Sequence, residues 1–168
     1  KLNSYKEKSL QGDSVLSKIY KSFGVQTTFE GNSITLEKTQ GFINPEKVSF
    51  DLIKAPDIAQ TIAVTAFGMG ISCDLTGLHT LKIKETDRLV ALDIELKKLG
   101  ADISVTNESL HLKKAENINN NIAIDTYQDH RMAMAFAPLL LKTSIIINDA
   151  AVVSKSYPTF WEDFSSFQ

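Results

Sequence analysis

The sequence contains very little cysteine and histidine. Its one cysteine, Cys73, excludes an internal disulfide bond and is typical of a protein in a reducing compartment. The three histidines are scattered at positions 79, 111 and 130, and no spacing among them and Cys73 fits a zinc site. We therefore expect no metal site.

Excess charge of one sign and long apolar runs are also scarce. The chain has 18 Lys and Arg against 20 Asp and Glu, a net charge of −2, and its basic residues do not cluster. This pattern argues against a nucleic-acid surface, so any phosphate binding must be local. The longest apolar stretch, residues 132–141, is too short to span a bilayer, and the polar opening KLNSYKEKSL is unlike a secretory signal. We expect a cytoplasmic protein without nucleic-acid or membrane partners.

The sequence has the composition of one globular domain covering residues 1–168, with 43% hydrophobic and 23% charged residues. Helical periodicity predicts helices over residues 15–23, 58–67, 87–99 and 131–141, and a short one from Pro158. Alternating or β-branched runs predict strands over residues 25–30, 33–38, 48–52, 71–77, 101–106, 109–114, 122–127 and 144–150. The fold class expected from this mixture is α/β of the α+β type, with C-cap glycines at Gly24 and Gly100.

These predicted elements repeat along the chain. Residues 23–38 and 99–114 superpose without a gap, and APDIAQTIAV at 55–64 has an echo in YQDHRMAMAF at 127–136. Together they define a βαβαββ unit, with one complete copy at about 48–114 and a partial copy on each side. A chance αββ pattern is the alternative, but the gapless match favours duplication. The incomplete copies indicate a chain cut from something larger.

The segment KIKETDRL carries the first candidate site residues. Thr80 to Lys84 is predicted as the tail of a strand, and Thr86 or Asp87 as the N-cap of the following helix. Lys84, Glu85 and Arg88 then lie at a helix start, where backbone N–H groups and the helix dipole favour an anion. The alternative is a solvated helix start in which these charges only cap and pair.

Similar junctions occur at three other places. DHRMAMAF puts His130 and Arg131 at the start of an apolar helix, and the alternative is an Asp129–Arg131 pair that only caps a buried helix, with His130 an ordinary surface residue. Lys155 in VVSKSYP and Asp57 in KAPDIAQT occupy comparable positions, although each is also compatible with an ordinary exposed lysine or an N-cap. If these corners meet, their cations would bind a polyanion and a carboxylate among them could accept a proton.

Several of these segments together resemble one enzyme family. IKETDRL, DHRMAMAF and SKSYPTFWEDF, with LQGD at 10–13 and PDIAQT at 56–61, are similar to the 5-enolpyruvylshikimate-3-phosphate synthases (3-phosphoshikimate 1-carboxyvinyltransferases). The resemblance covers nearly the whole chain. It implies two domains of three βαβαββ units, with helices inside and sheets outside, of which this chain matches most of the second. The N-terminal domain would then be a missing partner.

The resemblance also implies a reaction. The enolpyruvyl group of phosphoenolpyruvate would move to the 5-hydroxyl of shikimate 3-phosphate with release of phosphate, in the shikimate pathway to chorismate and the aromatic amino acids. No metal or organic cofactor is implied. Asp57 resembles the carboxylate that binds and deprotonates the hydroxyl, Glu85 the acid/base that handles the methylene proton, and His130 a neighbouring residue in the same catalytic site.

The same resemblance assigns substrate-binding residues. Lys84 resembles the lysine that binds shikimate 3-phosphate, together with Asp57. Arg88, Arg131 and Lys155 resemble the phosphoenolpyruvate clamp, since two arginines and a lysine match the carboxylate and phosphate of that substrate.

Two rival interpretations remain at this point. The first is the related enolpyruvyl transferase that acts on UDP-N-acetylglucosamine, which lacks the KETDRL and DHRMAM pair. The second is a non-catalytic anion-binding domain, which the fragment alone could be, so we expect the isolated chain to be inactive. Thr80 stands where many members of the resembled family have an asparagine, and we leave it out of the site.

Overall fold

A computed structural model describes residues 1–84 and 86–166 as a mixed α/β fold, as predicted. The strands are β1 Leu2–Asn3, β2 Val25–Glu30, β3 Ser33–Lys38, β4 Lys47–Asp51, β5 Ser72–Thr76, β6 Ile103–Val105, β7 Leu110–Leu112, β8 Ile122–Ile124 and β9 Ile145–Ile147. The α-helices are α1 Leu16–Ile19, α2 Ala59–Met69, α3 Arg88–Lys98, α4 His130–Phe136 and α5 Phe160–Ser165. Single 3-10 turns occupy Gly12–Val15, Tyr20–Phe23, Pro56–Ile58, His79–Ile83, Ala137–Leu141 and Ala150–Lys155.

The strands form separate sheets of different topology. In the sheet ordered β4-β5-β7-β6, β4 and β5 are parallel while β7 is antiparallel to both of its neighbours. β8 and β9 form a second parallel pair, and the sheet ordered β1-β3-β2 is antiparallel. A helix lies between the strands of each parallel pair in the chain, α2 in one case and α4 in the other, as parallel pairing requires a crossover.

The core is formed around α2 and α4. α2 is built mostly from small and apolar residues, and α4 is apolar after its first two residues, so both helices are stable only when most of their surface is buried. Ile62, Ala63 and Phe67 of α2 are fully or almost fully buried, as are Met132 and Phe136 of α4. These two helices pack against each other, whereas the strands alternate between a buried or half-buried face and an exposed or half-buried face. Helices therefore lie inside and sheets outside, as expected.

Most of the predicted elements are confirmed. Each predicted strand overlaps an observed strand, and α2 and α3 match their predicted spans closely. Gly24 and Gly100 end their helical segments with φ of +76° and +97°, a conformation that glycine adopts without strain. The helix predicted over residues 131–141 is α only to Phe136 and continues as a 3-10 turn, because Pro138 cannot donate the hydrogen bond that an α-helix needs.

The predicted strand tail at residues 80–84 is wrong. Strand β5 ends at Thr76, the chain turns at Gly77 with φ of +74°, and His79–Ile83 forms a 3-10 turn. Leu81 is fully buried, so this turn is fixed by an apolar anchor rather than by a sheet. The N-cap prediction is correct at Asp87, whose side chain accepts a hydrogen bond from the backbone N–H of Val90.

The repeat boundaries and the extent of the domain stay predictions. Among the described residues, no helix has the length and apolar character needed to cross a membrane.

Candidate active site

The candidate site lies where the starts of three helices meet. Asp57 lies in the 3-10 turn that leads into α2, Arg88 is the first residue of α3, and Arg131 is the second residue of α4. Because α2 packs against both α3 and α4, these three corners are brought to one place. The sequence positions that carry the charges are thus distant in the chain but adjacent in space.

The Asp57 carboxylate is held by three cationic side chains. Its Oδ1 lies 3.0 Å from Lys84 Nζ and accepts a 2.9 Å hydrogen bond from Arg88 Nη1. Its Oδ2 lies 3.7 Å from Arg131 Nη2, and its backbone carbonyl accepts from Arg131 Nη1 at 3.2 Å. Asp57, Lys84 and Arg131 each expose about a third of their side chain, so this part of the site is open to a ligand.

Asp129 is a second carboxylate of the site, and it is completely buried. One oxygen accepts from Arg88 Nε at 2.6 Å, and the other caps α4 by accepting from the backbone N–H of Arg131 at 2.9 Å. The sequence interpretation placed Asp129 only as a possible cap and missed its pairing with Arg88. The available signal was an acid at the start of an apolar helix, since a carboxylate there must be paired to be buried.

The pKa of Asp57 results from opposing influences. Partial burial raises it, but the hydrogen bond from Lys84 and the charges of Arg131, Lys84 and Arg88 outweigh burial and bring the pKa below its ordinary value. Asp57 is therefore ionised at neutral pH and a weak base in this arrangement. An anion that draws Lys84 and Arg131 away would raise its pKa and make it a better proton acceptor.

The remaining predicted site residues lie beside this group or outside the described part of the chain. His130 Nδ1 is 3.8 Å from Asp129 Oδ1, and the His130 side chain is largely buried. Lys155 is exposed and donates a 3.1 Å hydrogen bond to the backbone carbonyl of Gln128, one residue before Asp129. Glu85, the predicted acid/base, lies outside the described residues.

The arrangement is suited to binding a polyanion. Arg88, Lys84 and Arg131 supply three positive charges to Asp57 and Asp129, and exposed Lys155 binds the carbonyl of the residue before Asp129. Arg88 is almost completely buried and its Nε and Nη1 are bound to carboxylates, whereas Lys84 and Arg131 reach solvent. The residues described here contain no cluster of three or more His, Cys, Asp or Glu side chains suited to a metal ion.

Comparison with protein families gives a match over almost the whole chain. A profile of the EPSP synthase (3-phosphoshikimate 1-carboxyvinyltransferase) family matches residues 1–164. The 3-phosphoshikimate 1-carboxyvinyltransferase of Bacteroides fragilis is 41% identical over 158 residues, and the corresponding protein of Neisseria meningitidis serogroup B is 35% identical over 161 residues. These alignments cover 92% and 94% of this chain, but only 38% and 36% of the relatives.

A solved structure supports the same fold. The enolpyruvyl transferase NikO from Streptomyces tendae superposes with a TM-score of 0.57 at 12% sequence identity, covering 89% of this chain and 34% of that protein. The chain therefore spans well under half the length of the proteins that it resembles.

Proposed function

This chain belongs to the EPSP synthase family, and we propose that it forms part of an enzyme that transfers the enolpyruvyl group of phosphoenolpyruvate to the 5-hydroxyl of shikimate 3-phosphate. Inorganic phosphate is the second product. The reaction is a step of the shikimate pathway, which leads through chorismate to the aromatic amino acids. The names of the curated relatives and their identity to this chain support the proposal.

The observation that carries the proposal is the environment of Asp57. Its carboxylate meets Lys84, Arg88 and Arg131, which come from different parts of the chain. Both proposed substrates carry phosphate, and phosphoenolpyruvate adds a carboxylate. A surplus of cations around one carboxylate suits a reaction that binds anions and removes a proton from a hydroxyl.

We take the binding roles from the family resemblance, and the partial exposure of Lys84 and Arg131 is compatible with them. Arg131 and Lys155 contact phosphoenolpyruvate, with an arginine fork and a point charge respectively, and Lys84 contacts shikimate 3-phosphate. Arg88 belongs to the same clamp, although its bonds to Asp57 and Asp129 make it the member that orders the carboxylates as well. Fixing both substrates in this way holds the attacking oxygen against the vinyl carbon and lowers the entropic barrier.

The proposed proton transfers are those that the family resemblance implies. Asp57 accepts the proton of the 5-hydroxyl as that oxygen bonds to C2 of phosphoenolpyruvate, while C3 gains a proton and becomes a methyl group. The tetrahedral intermediate then loses phosphate from C2 and a proton from C3, which restores the double bond. Glu85 is proposed as the acid/base at C3, and His130 as its neighbour in the same site. No cofactor takes part.

The proposed function is tested with the full-length protein. Phosphate release is followed with phosphoenolpyruvate and shikimate 3-phosphate, and UDP-N-acetylglucosamine replaces the shikimate substrate in a parallel assay. We expect turnover only with shikimate 3-phosphate. Turnover with the nucleotide sugar alone would reassign the substrate, and binding of phosphoenolpyruvate without any turnover would make this a non-catalytic anion-binding protein.

Two further assignments belong to this proposal. The remaining substrate contacts come from an N-terminal domain of the same protein, since the relatives are much longer than this chain. The reaction is placed in the cytoplasm, and the single buried Cys73 suits such a reducing compartment.

A further inference from the structure

The loop that leads from β8 into α4 has an unusual backbone. Tyr127 and Gln128 are consecutive residues with φ of +53° and +56°, although neither is a glycine. Side chains other than glycine rarely adopt this conformation, and it persists only where the surroundings determine it. The site residues Asp129, His130 and Arg131 follow directly, so the shape of this turn sets their positions.

Helix α3 holds this loop at two places. Arg88 at its first turn binds Asp129, and Glu95, two helical turns further on the same face, binds the loop at Tyr127 and Asp125. The Tyr127 hydroxyl donates to Glu95 Oε1 at 2.7 Å, and the backbone N–H of Asp125 donates to Oε2 at 3.2 Å. Both attachments come from side chains that are almost completely buried.

Glu95 is a buried carboxylate whose partners are Lys98 on the same helix and two groups of this loop. Its side chain has no exposed surface, and Lys98 donates to its two oxygens at 3.0 Å and 2.8 Å. Lys98 also binds the Asp125 carboxylate at 2.8 Å. A buried carboxylate is tolerated only when its hydrogen bonds are satisfied, so moving the loop away would leave Glu95 partly unpaired.

We propose that Glu95 and Tyr127 are positioning residues, whose hydrogen bond keeps the turn at Tyr127 and Gln128 in the geometry that presents Arg131 and Lys155 to phosphoenolpyruvate. Lys155 depends on this turn because its ammonium group binds the Gln128 carbonyl. Arg131 depends on it because its backbone N–H is capped by Asp129. The inference rests on the proposed function and adds two residues that do not touch substrate.

The test is Tyr127→Phe in the full-length protein, with Tyr20→Phe as the matched control. Tyr20 also loses a part-buried hydroxyl hydrogen bond, in its case to Thr65 on α2. We expect Tyr127→Phe to raise the KM for phosphoenolpyruvate about tenfold, the scale of one lost hydrogen bond to a charged group. The KM for shikimate 3-phosphate and both KM values of Tyr20→Phe should stay near wild type.

A second variant separates positioning from stability. Gln128→Gly introduces the residue that adopts positive φ without strain, so the double variant Tyr127→Phe/Gln128→Gly should recover much of the lost affinity for phosphoenolpyruvate. If the Glu95–Tyr127 hydrogen bond only stabilised the fold, no such recovery would be expected. The idea is overturned if the KM in Tyr127→Phe stays within twofold of wild type, if Tyr20→Phe raises it equally, or if Tyr127→Phe alone fails to fold.

Backbone amide exchange gives a readout that does not depend on catalysis. We expect faster exchange at the N–H of Arg131 in Tyr127→Phe than in wild type, because the cap from Asp129 loosens. If the wild-type protein shows no turnover, the proposed function fails. The exchange measurement then still tests whether the Glu95–Tyr127 hydrogen bond holds the turn in place. Unchanged exchange at Arg131 would overturn it.

Discussion

Arg88 and Asp129 are 41 positions apart in the chain and form a buried ion pair in which Nε donates to Oδ2 over 2.6 Å. The same guanidinium donates through Nη1 to Asp57. One side chain thus joins the start of α3 to Asp57 and Asp129, the two site carboxylates among the described residues. Since Asp129 also caps α4, the relative positions of the three helix starts depend on this arginine.

Removing Asp129 should destabilise the protein strongly. Asp129→Ala leaves Arg88 buried without one of its carboxylates, and we expect a loss of about 3–5 kcal/mol in the free energy of unfolding. Urea unfolding followed by circular dichroism measures it. The matched control is Asp102→Ala, because Asp102 and Lys113 form an ion pair in which both side chains are exposed; it should cost far less, since water screens such a pair. Equal losses in the two variants would contradict a buried pair.

Asp57→Asn should affect turnover more than binding. The amide cannot accept the hydroxyl proton, so kcat should fall about 100-fold or more, the usual contribution of a general base. Phosphate release under saturating substrates measures kcat, with Asp102→Asn as a surface control. A kcat within a few-fold of wild type would remove Asp57 from the role of base.

Arg131→Ala should weaken phosphoenolpyruvate binding. Losing a charge-assisted fork should raise the KM for that substrate about 10- to 100-fold, with a smaller change for shikimate 3-phosphate. Lys142→Ala serves as the control. It removes one positive charge from an exposed residue that directly follows the 3-10 turn Ala137–Leu141. If both variants change the KM alike, only the net charge matters and Arg131 is not in the clamp.

Stability should depend on pH through Asp57. Its pKa in the folded protein lies below the ordinary 3.8, so its ionised form stabilises the fold. That contribution is fully present above the unfolded pKa and is lost as the pH falls from about 3.8 towards the lower folded value. We therefore expect the gap in unfolding free energy between wild type and Asp57→Asn to be constant at pH 5–7 and to shrink below about pH 4. A gap that widens on acidification would indicate a raised pKa.

The 168-residue chain on its own should show no transferase activity. It covers 38% of the Bacteroides fragilis relative, so most of the length of such a protein lies outside the matched region. The phosphate-release assay on the purified chain, alongside the full-length protein, measures this. Turnover by the isolated chain would show that it contains a complete active site.

Local sequence signals predicted the elements well because those elements are determined locally. Period-two alternation fixes β2 and β3, small apolar residues make α2 a buried helix, and an acid before the apolar run of α3 supplies its cap at Asp87. The candidate site residues came from charged residues at helix starts, in a pattern that a known family shares, and their roles stay predictions. The positions of Asp57, Lys84, Arg88 and Arg131 around one point agree with that interpretation.

The pairings within the site could not be predicted in the same way. Nothing near Arg88 in the sequence indicates that it binds Asp129, or that Glu95 binds Tyr127 across 32 positions, since both follow from helix packing. The positive φ at Tyr127 and Gln128 has no local sequence signal either, because neither residue is a glycine or an asparagine. The 3-10 turn at 79–83 was missed because its cause, the burial of Leu81, is tertiary.

Arg131 contacts Asp57 through main chain as well as side chain, since its Nη1 binds the Asp57 carbonyl oxygen at 3.2 Å. A substitution of the Asp57 side chain leaves this hydrogen bond to the Asp57 backbone carbonyl in place. The guanidinium should therefore stay docked in Asp57 variants, ready to receive a ligand. Substrate affinities measured in those variants would then report the effect of one missing negative charge, rather than the collapse of the surrounding pocket.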